Sequence, residues 1–87
     1  IPITIMAAAA DKNQLAVSNP IIGSFFLHHF KQMLQTQLST TNKDYFSWYQ
    51  ILDETRTNTY RRSRTTYCSD YRVPQNICRQ TPKFQIE

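Results

Sequence analysis

TRTNTYRRSRTTYCSDY, residues 55–71, carries Arg56, Arg61, Arg62 and Arg64 interleaved with Tyr60, Tyr67 and Tyr71, joined mostly by threonine and serine. A strip with an aromatic every few residues, guanidinium groups between them and almost no aliphatic side chain cannot build a core of its own. It can lie along another surface. Residues 55–87 therefore read as an extended, basic, Tyr/Arg-rich docking tail, with Arg72 as a further contact. The aliphatic residues beyond Glu54 are only Val73, Ile77 and Ile86, so this tail is expected to borrow its core from a partner and the isolated chain to be only partly folded.

Charge supports that reading. Residues 1–54 hold three lysines against four carboxylates, net −1, whereas residues 55–87 hold six arginines and Lys83 against Asp70 and Glu87, net +5. Such asymmetry points to an acidic partner for the tail: a protein surface, nucleic acid or an anionic membrane. In an extended strip alternate side chains face opposite sides. That places Tyr60, Arg62 and Arg64 on one side and Arg61 and Tyr67 on the other, an arrangement suited to a groove in which the tyrosines anchor.

Working toward the N-terminus, residues 19–54 read as a helical hairpin. Asn19 and Pro20 are an N-cap and first-turn pair, and Gly23 weakens the turn that follows. Phe26, Leu27, Phe30, Met33, Leu34 and Leu38 then fall on one broad helical face. Residues 39–42 are a polar connection, and Thr41 with Asp44 makes a weakened capping box. In the second helix Tyr45, Trp48, Tyr49 and Leu52 recur at i, i+3, i+4 and i+7, with Phe46 on a flank. The expected hairpin core is thus Tyr45, Trp48, Tyr49 and Leu52 facing Phe26, Phe30, Met33 and Leu34. Residues 1–18 lack a sustained period and read as an irregular, extended segment whose IPITI run could join a sheet edge. Met6 before four alanines looks like an initiator, and the stretch has no basic n-region of a signal peptide. The fold class expected from all this is mainly α: a short antiparallel helical hairpin between extended, irregular N-terminal and C-terminal segments.

An 87-residue chain is one domain at most and buries only about 60% of the surface that its unfolded form exposes. Its apolar runs are shorter than the roughly 20 residues of a membrane span. One glycine in the whole chain argues against a glycine-rich phosphate loop. His28 and His29 are adjacent, point about 100° apart on a helix and cannot chelate one ion together. With no paired carboxylates, nucleophile elbow or metal motif, the chain reads as non-enzymatic, with no metal, cofactor or small-molecule substrate. Cys68 and Cys78 enclose nine residues, the spacing of the helical hairpin proteins of the mitochondrial intermembrane space. Those carry two such pairs on facing helices, whereas here there is one pair with Pro74 between. A single pair without a signal peptide reads as free thiols.

Thr65, Thr66, Tyr67, Asp70 and Tyr71, followed by Arg72 and Pro74, form a run that resembles short motifs in the small microtubule inner proteins of ciliary and flagellar doublets. The resemblance covers under a tenth of the chain. It implies a structural accessory protein, built from one or two helices with long extended segments, pressed on acidic tubulin in the lumen of the axonemal doublet. The alternative host is a mitochondrial respiratory complex or the mitoribosome, of which the chain would be a supernumerary subunit. Nucleic acid is the lower-ranked partner, through arginine on phosphate and aromatics on bases.

Overall fold

The computed structural model describes residues 4–39 and 47–87. Among these residues are two helices and two small antiparallel sheets, in the order β1 (Ile5–Ala8), β2 (Ser18–Asn19), β3 (Gly23–Ser24), α1 (Phe25–Ser39), α2 (Trp48–Thr66) and β4 (Lys83–Ile86). The fold is a small mixed α and β one, which corrects the mainly α hairpin with extended tails. The two ends of the chain meet: β1 pairs with β4 in the register Ile5↔Ile86 to Ala8↔Lys83. Thr4 and Glu87 extend the ladder by exchanging backbone hydrogen bonds of 2.9 and 2.8 Å.

The start of α1 also differs from expectation. Asn19 Oδ1 accepts the Ile21 N–H at 2.7 Å, closing an Asx-type turn between β2 and β3 instead of capping a helix. Gly23 ends that turn at φ 75°, a left-handed conformation for which glycine is suited. The cap is Ser24, whose Oγ accepts the Leu27 N–H at 3.2 Å. The apolar face of α1 is present but shifted. Phe25 is fully buried, Phe26, Phe30, Met33 and Leu34 are half-buried, and Leu27 and Leu38 are exposed.

The larger correction concerns α2, which runs to Thr66 through most of the strip expected to be extended. Its buried positions are Ile51, Leu52, Thr55, Thr59 and Ser63, so from Ile51 the stripe repeats every four residues in threonine and serine. Two of these hydroxyls turn back on the helix carbonyls, Thr55 Oγ1 donating to that of Ile51 at 2.6 Å and Ser63 Oγ to that of Tyr60 at 2.9 Å, whereas the buried Thr59 hydroxyl has no hydrogen-bond partner. Small side chains on that face let the C-terminal segment lie against it. Cys78, Gln80 and Pro82 are all buried there, and Ser63 Oγ accepts the Gln80 N–H at 2.9 Å.

Gln80 ties three parts of the chain together. Its Oε1 accepts the buried Val17 N–H at 3.0 Å and its Nε2 donates to the Ala9 carbonyl at 2.7 Å, while its backbone holds α2. Gln14 works in parallel, its Oε1 accepting the N–H groups of Asp11 and Thr81. The tail thus has a core within its own chain. Cys68 and Cys78 are disulfide-bonded, which corrects the reading as free thiols. The bridge pins the start of the C-terminal segment to the end of α2.

Of the expected interhelical contacts, Phe30 stacks on Trp48 with ring centroids 6.4 Å apart, and Leu52 is buried nearby. Tyr49 instead turns to β4, meeting the Phe84 ring edge-on at 5.7 Å. Met33 takes a contact of 3.9 Å from the Asn58 side-chain amide. Tyr45, Phe46 and the Thr41 and Asp44 capping box lie outside the described residues. Among the described residues no helix is long and apolar enough to cross a membrane.

Candidate functional site

A helix sorts the arginines of residues 55–66 by direction, and only some face outward. Arg56 pairs with Asp53 and places its guanidinium 5.0 Å from the centre of the Phe84 ring. It fastens α2 to β4. Arg72 forms a two-pronged pair with Asp70, at 3.0 Å from Nε and 2.9 Å from Nη2. Hydrogen bonds from the Arg72 side chain, then from its backbone, hold the Asp70 carboxyl below its ordinary range. Lys83 lies 3.5 Å from the Asp11 carboxylate. These three cations of the C-terminal segment are neutralised within the chain.

Arg61 and Arg64, three residues apart, share the exposed outer side of α2, and neither has a carboxylate partner among the described residues. Arg62 turns toward α1. Its Nε donates to His29 Nε2 at 3.0 Å, and its guanidinium carbon lies 5.5 Å from the centre of the Phe25 ring. Tyr60 and Tyr67 are half-buried, and Tyr71 is 94% exposed. The expected division of the strip into two faces of an extended chain therefore does not hold: Arg61 and Arg64 come together, and Arg62 leaves them.

Asn58, Arg61, Arg62, Thr65 and Thr66 recur at i, i+3, i+4, i+7 and i+8 on α2. With His29 of α1 they line a cleft of about 350 Å³, with no carboxylate in its wall among the described residues. Asn58, Thr65 and Thr66 were not among the partner contacts read from the sequence. The signal was the helical spacing of polar residues, which an extended reading conceals. A second cleft, of about 290 Å³, is wholly apolar and lies among Ile5, Phe26, Leu27, Phe30, Trp48 and Leu52.

His29 is only 6% exposed, and burial pushes its pKa below the ordinary 6.5. The nearby Gln32 side chain opposes that shift, and the charges of Arg62 on α2 and His28 on α1 reinforce it. The ring is thus neutral at pH 7, as it must be to accept the Arg62 N–H. A histidine whose folded pKa lies below its unfolded value contributes its full stability above about pH 6.5 and loses it as pH falls from there toward the lower folded value. Thermal melts between pH 8 and pH 5 are expected to show that loss in the wild type. His29→Gln, which keeps an acceptor but does not titrate, should remove that part of the slope; parallel curves would contradict the assignment.

Among the described residues no group of three or more His, Cys, Asp or Glu side chains is placed to hold a metal ion. No family model matches this chain, and no curated protein or solved structure is significantly similar to it.

Proposed function

We propose that this chain is a non-catalytic accessory protein that docks on a large assembly with an acidic surface through the outer face of α2. The observation that carries this is the contrast among its cations. Arg56, Arg72 and Lys83 are paired internally, whereas Arg61 and Arg64 stand exposed, side by side and unpaired among the described residues. The half-buried Tyr60 and Tyr67 belong largely to the fold, which leaves Tyr71 as the tyrosine free to anchor.

Tubulin in the lumen of axonemal doublets is the host that the 65–71 resemblance favours. The Cys68–Cys78 bridge favours the other host, an accessory position on a mitochondrial respiratory complex facing an oxidising space, because disulfides persist where thiols are not kept reduced. The test is co-sedimentation of the oxidised protein with polymerised microtubules, against co-migration with solubilised mitochondrial complexes. The double variant Arg61→Glu with Arg64→Glu is carried alongside over a salt series. Two exposed ion pairs at about 1 kcal/mol or less each, reversed to repulsion, should weaken retention by roughly tenfold or more at low salt, with the difference shrinking as salt rises. Equal retention of both proteins at every salt concentration would remove α2 from the interface.

A further inference from the structure

We propose that the cleft between α1 and the C-terminal half of α2 is a binding site for a phosphate group, gripped by Arg61 and Arg62. This goes beyond docking, since it sets Arg61 of the outer side together with Arg62, which turns toward α1, and needs no host assembly. The Arg62 Nε donates to His29 and its guanidinium carbon lies 5.5 Å from the centre of the Phe25 ring, two contacts that hold the group while both Nη groups have no partner among the described residues. A guanidinium fixed beforehand loses little side-chain freedom when a ligand arrives, and its fork matches phosphate oxygens.

The remaining groups in the cleft are donors too. Arg61 is unpaired among the described residues, and the Asn58 amide is engaged only by the weak thioether acceptor of Met33. The Thr66 hydroxyl has no hydrogen-bond partner among the described residues, whereas the Thr65 hydroxyl donates to the Arg61 carbonyl. Because His29 Nε2 accepts from Arg62, the neutral ring carries its proton on Nδ1, which is buried out of a ligand's reach, so His29 serves to hold Arg62. Among the described residues no acidic side chain lines the wall. Donors from four positions, Asn58, Arg61, Arg62 and Thr66, with no carboxylate among the described residues of the wall to balance them, call for a ligand of several anionic oxygens. A carboxylate would occupy one fork, whereas a phosphate has enough oxygens for both arginines and the neutral donors. The volume of about 350 Å³ admits a phosphate with a small substituent.

The experiment is an NMR titration of the oxidised full chain at constant ionic strength and pH 7.5 with inorganic phosphate, O-phosphoserine or acetate. Phosphate and O-phosphoserine are expected to shift the resonances of His29, Asn58, Arg61, Arg62 and Thr66, and acetate to leave them in place. Tighter binding of O-phosphoserine would assign the site to phosphorylated side chains, and tighter binding of inorganic phosphate to the free ion. Arg62→Ala should weaken binding by about tenfold or more, Arg62→Lys by less. Arg64→Ala, which removes the same charge outside the cleft, should weaken it by less than about twofold. The exposed Arg61→Ala serves if Arg62→Ala fails to fold. Acetate binding as well as phosphate, or Arg64→Ala losing as much as the cleft variants, would overturn the proposal. Either result would leave the docking reading to its own test.

Discussion

Gln80→Ala is expected to unfold the protein or bring it close to unfolding at room temperature. The substitution removes the acceptor of the buried Val17 N–H and the donor to the part-buried Ala9 carbonyl, so two backbone groups lose their partners at once. Each such loss costs about 1–3 kcal/mol, and the vacated volume adds to it. Small domains have only about 5–15 kcal/mol in total. Gln80→Leu separates the causes, because it keeps most of the volume and still strands both groups; it should be nearly as destabilising as alanine. Urea unfolding followed by circular dichroism gives the comparison. A leucine variant as stable as wild type would mean that Gln80 fills space and does not hold the N-terminal segment.

Opening the Cys68–Cys78 bridge is the second large effect. The closed loop is short, with a sequence separation of 10, and in the chain-entropy model a loop of this order is worth roughly 3 kcal/mol. Cys78 is fully buried beside the segment that carries Gln80 and Pro82, so release frees residues that cover the threonine and serine face of α2. Melts with and without reductant, and of the Cys68→Ala with Cys78→Ala variant, should show the same large drop. An unchanged melting temperature would make the bridge incidental to the fold.

How much of this could be read beforehand depended on which residues carried the pattern. In α1 the period lies in Phe26, Phe30, Met33 and Leu34, large apolar side chains, and the helix was legible except for its start, which was read five residues early at Pro20. In α2 the same period continues past Leu52 in Thr55, Thr59 and Ser63, residues that burial scales count as surface, so the helix was ended a dozen residues early. The β1 and β4 pairing joins Ile5 to Ile86, and contacts between chain ends leave no mark in a local window. Gln80 shows the same limit: nothing near it in sequence announces that its amide will meet Ala9 and Val17. For the candidate site, the arginines were identified by composition alone. Their division into Arg56 against β4, Arg61 and Arg64 on the outer side and Arg62 turned toward α1 required the helix.

The central claim is that residues 55–87 are part of a self-contained, oxidised fold that presents the arginines on a helix. Backbone NMR of the isolated oxidised chain tests it most directly. The account expects helical carbon shifts continuous from Trp48 to Thr66, and dispersed, exchange-protected amides at Gln80 and in Lys83–Ile86, with no partner present. Random-coil shifts beginning near Thr55, with collapsed amide dispersion through Glu87, would contradict it and return the segment to an extended strip that folds only on its host.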